Sequence, residues 1–425
     1  VVEANGNNLV FLLCTPRSGS SLATAMLQNH SRMFATQEMW FLMSLRDLRS
    51  PTNRPYGGAG ILNQFFNGVL PDDTFVQACR AFALEVYNGL LRSSGGAEIV
   101  IDKSPRYYGV LEFLDALFPQ SRRIWLIRNP FAVLASYKKV SRHRGTRFDL
   151  KEDLRNPAFN MKIADLTVGW FRYLRYFAGN SPYACRLHYE KLVADPREEL
   201  SRVCRFLGTT YEEGMEKYGD GRNPGKTGLF YSMGVGDPFL ADHAEPHLNS
   251  VNLWKEVLDR QEVEMYGRAL GARIFHELGY GEPLAEAEKW TGVRFDMEPD
   301  AELIAMRTKQ LTEAAGFRWA DGYEMQTGSA SGRAMVGPEV GPEAPARRTA
   351  AEQPDRGPDP QVLQLQMTLR ALEKRLEISA AEQRRLKAQL GEMRKKVDRL
   401  KSIIPFGSRL SHLASAYLIH GGEKK

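Results

Sequence analysis

Leu9-Val-Phe-Leu-Leu-Cys-Thr-Pro-Arg-Ser-Gly-Ser-Ser-Leu22 is the stretch that decides the fold. The unbroken apolar run Leu9 to Cys14 predicts a strand buried on both faces. Ser20 to Asn29 predicts a helix, with Leu22, Ala25, Met26 and Leu27 on its apolar face. Between them Gly19 lets the backbone come close to an anion. Ser20 and Ser21 offer hydroxyls, and the first helical amides point at the same spot. Arg17 adds a fixed positive charge with several donors. The segment reads as an oxyanion cradle. It is not the nucleoside triphosphatase loop G-x-x-x-x-G-K-[ST], because Cys14 stands at the leading glycine position and no lysine precedes the serines. Gly225-Lys226-Thr227 fails the same test, with Asp220 at the leading position.

Beyond the cradle, Glu98 to Asp102, Arg123 to Ile127 and Cys185 to Tyr189 predict further strands. A helix is expected from Pro130, since proline in a first turn misses no donor. Another is expected over Pro196 to Leu207, capped by Asp195. Strands alternating with helices predict an α/β fold, a mainly parallel sheet sandwiched by helices. Arg128 falls at the carboxyl end of a predicted strand, where ligands of open parallel sheets collect. Ser136 lies eight residues on, in the following helix, and the Asn129-Pro130 turn lets both reach one phosphate. The bland alternative is a salt-bridged strand-end arginine and an ordinary helix serine.

Composition bounds the rest. Of 425 residues, 43% are hydrophobic and 10% aromatic, which suits a globular core. No apolar run is long enough to span a membrane. Cys14, Cys79, Cys185 and Cys204 form no CxxC pair, so buried free thiols in a reducing compartment are expected, and no zinc site. The net charge of +6 is uneven. Residues 361–425 hold 14 Lys and Arg against 6 Asp and Glu, leaving residues 1–360 slightly acidic at −2. Nucleic acid is therefore not an expected partner of the main domain.

Residues 1–283 read as the main domain and 284–325 as a helical extension. Residues 326–360, poor in large apolar side chains, read as a disordered linker. Val362, Leu365, Leu369, Leu372 and Leu376 open a 3–4 register that runs to Ile404, so 361–404 reads as a coiled coil that would make the chain a homo-oligomer. The alternative is a lone amphipathic helix docked on the main domain. Residues 405–425 form a basic amphipathic tail, expected to be a docking or disordered end; it is also the one part that could touch a membrane. The expected location is cytoplasmic, or the Golgi lumen if an anchor preceded Val1.

Thr15-Pro16-Arg17-Ser18-Gly19-Ser20-Ser21-Leu22 resembles the phosphosulfate-binding loop of the sulfotransferase superfamily, whose fold is P-loop-like. The resemblance implies that Thr15, Pro16, Arg17, Ser18, Gly19, Ser20 and Ser21 bind the 5′-phosphosulfate of 3′-phosphoadenosine 5′-phosphosulfate (PAPS). Arg128-Asn-Pro130 followed by Ser136 resembles the family's 3′-phosphate motif, although Ala132 stands where many members have Asp. His188-Tyr189-Glu190-Lys191-Leu192-Val193 resembles a run whose tyrosine, here Tyr189, approaches the nucleotide.

Sulfuryl transfer to an acceptor hydroxyl or amine then follows by in-line displacement, in which positioning and cationic stabilisation do most of the work. In several branches of the family a glutamate at the distance of Glu38 past the loop is the general base, and Lys103-Ser104-Pro105 is similar to their Lys-[ST]-Pro element. Lys103 would stabilise the sulfuryl or bridging oxygen. Each has a plain alternative: a dipole-favoured glutamate for Glu38, an ion pair with Asp102 for Lys103. Gly236-Asp237-Pro238-Phe239 with His243 resembles a late segment of bacterial members and makes His243 a candidate second base or substrate contact. Tyr107 and Tyr108 either line the acceptor cleft or pack. Trp254-Lys255 stands in the region of the family's closing basic element, without its usual Gly-x-x-Gly-x-x-Lys form. The substrate loops are expected at 51–70 and 140–160. The resemblance covers residues 8–280. Two rival functions stand beside it: a P-loop kinase-like phosphotransferase, and a degenerate scaffold on a coiled coil.

Overall fold

Alternating side chains along each strand split between two apolar layers, and that split sets the architecture. In this computed structural model, β1 (Leu9–Leu13), β2 (Met33–Ala35), β3 (Ile99–Lys103), β4 (Arg122–Ile127) and β5 (Ala184–His188) form one sheet in the order β2-β3-β1-β4-β5. All pairings are parallel. Leu9, Phe11, Leu13, Trp125 and Ile127 enter one buried cluster; Val10, Leu12, Ile124 and Leu126 enter the other. A strand's side chains alternate between faces, so an all-apolar strand needs cover on both. The helices Ser20–Gln28 and Pro196–Phe206 supply it on one side, and Asp72–Ser93, Leu111–Leu117 and Pro130–His143 on the other. This is the α/β sandwich that the alternation of elements predicts.

The structure describes residues 1–52, 57–220, 237–240 and 243–326, with Lys226, Gly228 and Phe230. The chain divides into Val1–Val340 and Gly341–Lys425. The expected linker beyond residue 326, the coiled coil 361–404 and the tail 405–425 lie outside the described residues, as do Gly225, Thr227 and Gly236. Among the described residues no helix is long and apolar enough to cross a membrane. The four cysteines are buried and unpaired. Lys226 is buried and donates to the carbonyls of His30 at 2.6 Å and Met33 at 2.8 Å, a purely structural role.

Three local expectations shift. The helix after Glu38 begins at Phe41. The stretch expected as a substrate loop at 51–70 contains a short helix, Ala59–Gln64, followed by a π-helical turn, Phe65–Val69. The other, 140–160, begins inside the helix Pro130–His143 and contains Leu150–Asp153.

Residues 284–326 join the core. Leu284, Ala287, Phe295, Leu311 and Phe317 all enter the same buried cluster as Trp125. Gly109 makes room for this segment: a Cβ there would sit 2.5 Å from the Phe317 ring. The buried carboxylate of Asp115 anchors the end of it. Asp115 accepts from Arg123 Nη2 at 2.6 Å, Tyr176 Oη at 2.6 Å, Tyr323 Oη at 2.9 Å and the Gln326 amide at 2.9 Å. Removing one partner of a buried pair strands the other charge. Asp115→Ala should therefore lower stability by roughly 3–5 kcal/mol in urea denaturation and make the 317–326 segment the first site of limited proteolysis.

Candidate active site

Each strand of the sheet delivers one predicted site group at its carboxyl end. The cradle follows β1, Glu38 follows β2, Lys103 closes β3, Arg128 follows β4 and Tyr189 follows β5. In an open parallel sheet this edge is where loops converge, at the point where the strand order reverses, here around β1.

Two left-handed residues bend the cradle: Arg17 at φ 70° and Gly19 at φ 91°. For a non-glycine residue that region carries strain, and surrounding bonds hold Arg17 in it. The Arg17 carbonyl accepts from Arg128 Nη1 at 3.0 Å, and Arg17 Nε donates to Ser136 Oγ at 3.2 Å. Arg17 also pairs with Asp237 at 3.2 Å. The hydroxyls of Thr15 and Ser18 share a bond of 2.9 Å beneath the turn. Gly19 has no space for a side chain, because a Cβ would lie 2.3 Å from Cδ2 of Tyr189. The same Tyr189 ring stacks on the Arg128 guanidinium, 4.2 Å from its centroid. Arg128 Nη2 donates to the Ser250 carbonyl at 2.8 Å, while its Nε is buried without a partner. Cys14, at the base of the loop, has its thiol pushed up to about 12 by burial and is no nucleophile.

On the other flank, Lys103 is fully buried and its Nζ donates to Glu38 Oε1 at 3.3 Å; the Glu38 side chain is 29% exposed. Asp102, expected as the alternative partner of Lys103, turns to the opposite face of β3 and accepts from Tyr87 Oη at 2.5 Å and Tyr107 Oη at 2.8 Å. Burial pushes its carboxyl up to about 6. A cleft of about 370 Å³ opens beside Glu38, lined at its inner end by Pro16, Arg17, Gly19, Ser20 and Ser21.

The opposite wall was not foreseen. Asp165, fully buried, accepts from Arg106 Nε at 3.0 Å and Nη2 at 2.8 Å, from Tyr108 Oη at 2.7 Å and from Tyr137 Oη at 2.8 Å. This holds Arg106 at the cleft, 5.5 Å from the ring of Trp40, itself left-handed at φ 61°. Tyr107 and Tyr108 are buried and pack. The partners of Asp165 lie 28 to 59 residues away in the chain, so no local pattern marks them.

Other predicted residues stand apart from the cleft. His243 is exposed, its ring 4.1 Å from that of His247, and it does not line the cleft. Trp254 is buried against Phe131, and Lys255 pairs with Glu286 at 2.8 Å. Among the basic side chains of 138–147, Lys138 is held by Glu262 and Arg147 by Glu152, whereas Arg144 lines the cleft. Among the described residues no cluster of His, Cys, Asp or Glu is placed to hold a metal ion.

Two outcomes follow. Gly19→Ala forces the Tyr189 ring off Arg128 and strains a left-handed position, so it should lower thermal stability and the cradle's affinity for an anion, read by sulfate titration of the melting temperature. Asp102 is the second case. Its folded pKa, raised from 3.8 to about 6, contributes stability that is fully present below the unfolded value and is lost as pH rises through about 6. Compared with Asp102→Asn, the native chain should lose on the order of 3 kcal/mol between about pH 4 and 7; parallel pH profiles from urea titrations would refute this.

Comparison with known proteins agrees with this geometry. A model of the sulfotransferase family matches residues 10–213. The chain is 29% identical over 296 residues to the nodulation protein NoeE of Sinorhizobium fredii, covering 66% of this chain and 67% of that one. It is 24% identical over 221 residues to a putative protein-tyrosine sulfotransferase of Caenorhabditis briggsae, covering 50% of this chain and 69% of that one. Among solved structures it is similar to the sulfotransferase domain of the Synechococcus olefin synthase, at 22% identity and a TM-score of 0.41, covering 65% of this chain and 94% of that one. A second is the sulfotransferase domain of the curacin biosynthetic pathway, at 20% identity and 0.39, covering 67% and 98%. Residues 10–213 therefore match the sulfotransferase family, and over that span the chain is similar to its members.

Proposed function

We propose that the domain transfers a sulfuryl group from PAPS to an acceptor hydroxyl or amine. The observation that carries this reading is the contact between two anion-binding groups far apart in sequence: Arg17 bonds Ser136 across 119 residues, and Arg128 bonds the Arg17 carbonyl across 111. A donor with phosphates at both ends of one adenosine needs two such sites at a fixed separation. The residues suit it. Arg17, Ser20, Ser21 and the first amides of the helix Ser20–Gln28 offer donors to a 5′-phosphosulfate. Arg128, with a buried and unpartnered Nε, and Ser136 offer donors to a 3′-phosphate.

Glu38 takes the acceptor proton as the acceptor oxygen bonds to sulfur and the bond from sulfur to the bridging oxygen of the 5′-phosphate breaks. Lys103 stabilises the charge on that departing oxygen. Adenosine 3′,5′-bisphosphate leaves, and the proton stays on Glu38. Lys103 being buried strengthens its field at the reacting atoms. The tyrosine hydroxyl implied by the name of the Caenorhabditis relative is one member of the acceptor class; carbohydrate, lipid and metabolite hydroxyls are others. Residues 361–404 would join copies of the chain as a coiled coil, which sedimentation of chains with and without 361–425 tests.

Transfer of radiolabelled sulfate to a panel of alcohols tests the activity. Glu38→Gln should lower turnover by roughly 10²–10⁴-fold while donor binding is kept; unchanged turnover would remove Glu38 as the base. Binding of adenosine 3′,5′-bisphosphate with indifference to ATP and magnesium separates this reading from a kinase.

A further inference from the structure

The cleft beside Glu38 holds more positive charge than donor binding uses; the inference drawn from it rests on the sulfotransferase reading above. Arg128 and Ser136, assigned to the 3′-phosphate, do not line this cleft. Arg106, Arg144 and Lys162 line it. Arg106 spends Nε and Nη2 on Asp165, which leaves Nη1 without a hydrogen bond among the described residues. Lys162 is half-buried, and its Nζ donates to Ser141 Oγ at 3.1 Å and the Arg147 carbonyl at 3.2 Å, both neutral. Among the described residues no carboxylate lies within ion-pair distance of that ammonium. Arg144 caps the helix Pro130–His143, about 12 Å along its axis from Ser136 by helical rise.

The acidic groups at this cleft are committed elsewhere: Glu38 to Lys103 at 3.3 Å and Asp237 to Arg17 at 3.2 Å. A half-buried ammonium facing two neutral oxygens and, at 5.4 Å, the Phe148 ring has no carboxylate as counter-charge among the described residues, and a concave wall focuses its field on whatever enters. A neutral acceptor would desolvate Lys162 further and return nothing. An anionic group would supply the missing charge.

We propose that the acceptor is an anion: a hydroxyl-bearing molecule whose carboxylate, phosphate or sulfate group is held by Lys162 and Nη1 of Arg106, with Arg144 at the rim. Its hydroxyl faces Glu38 along the wall formed by Trp40. Lys162 is then a specificity-determining residue, separate from the donor sites.

The test uses the full chain saturated with adenosine 3′,5′-bisphosphate and calorimetric titration of matched pairs: N-acetyltyrosine against N-acetyltyrosinamide, and glucuronic acid against glucuronamide. The acids should bind roughly 10- to 100-fold more tightly than the amides, as charge-assisted hydrogen bonds allow. Lys162→Gln and Arg144→Gln should each shrink that preference several-fold and leave bisphosphate affinity within about two-fold, with unchanged melting temperatures showing that the variants fold. Absence of any acid preference, including no binding of either member of both pairs, overturns the proposal. So does a loss of bisphosphate affinity in Lys162→Gln, which would give that cation to the donor. A native chain that fails to bind the bisphosphate at all would instead remove the sulfotransferase reading beneath it.

Discussion

The Arg17 backbone is the constraint on which the site depends. Its left-handed turn aims the guanidinium at Ser136 and its carbonyl at Arg128. Those two bonds weld the loop after β1 to the loop and helix after β4. Tyr189 closes the arrangement from β5, lying against Gly19 on one side and Arg128 on the other. The strain of a left-handed arginine persists because three neighbouring elements over-determine it. A cradle built this way exists before any ligand arrives, so little ordering is left for binding to do.

The second half of the site has its own scaffold. The β3 backbone divides its last side chains between faces. Lys103 reaches Glu38, while Asp102 is held beneath by two tyrosines. One turn later Arg106 is locked by Asp165, whose remaining lone pairs go to Tyr108 and Tyr137. A buried carboxylate bonded through both oxygens, as at Asp165, is a rigid support. The 317–326 segment packs over Gly109 and ties into Asp115, backing the same loop from outside. Chemistry at the cleft and stability of the fold therefore share residues 102–115.

Much of this was legible in the chain. The strand-turn-helix around Gly19 and the Arg128-Pro130-Ser136 spacing are local patterns, and local patterns survive in sequence. The strand β1 was legible because both its faces are buried, which leaves an uninterrupted apolar run. What was hidden depends on distance. Nothing near Asp165 in the sequence announces four donors from two other segments. Residues 284–325 read as an extension because their charges are mixed, yet Leu284, Phe295, Leu311 and Phe317 are buried in the core. Trp40 has a positive φ, precedes the helix Phe41–Asp47 and lies on the cleft wall, which no local pattern marks. His243 read as a site residue from its neighbours, but the structure leaves it exposed beside His247. The likeness to sulfotransferases carried Glu38 and Lys103 as candidates, and the 3.3 Å ion pair is what joins them physically.

The central claim is that two separate anion sites grip opposite ends of one nucleotide. It is tested most directly by calorimetry of adenosine 3′,5′-bisphosphate and of adenosine 5′-monophosphate, with the native chain and with Arg128→Gln. The account predicts that the substitution weakens the bisphosphate by about 10-fold or more, as loss of charge-assisted bonds implies, beyond any loss at the monophosphate, whose 5′ cradle Arg128 also braces. Equal weakening of both nucleotides, or no binding of the bisphosphate to the native chain, would contradict it.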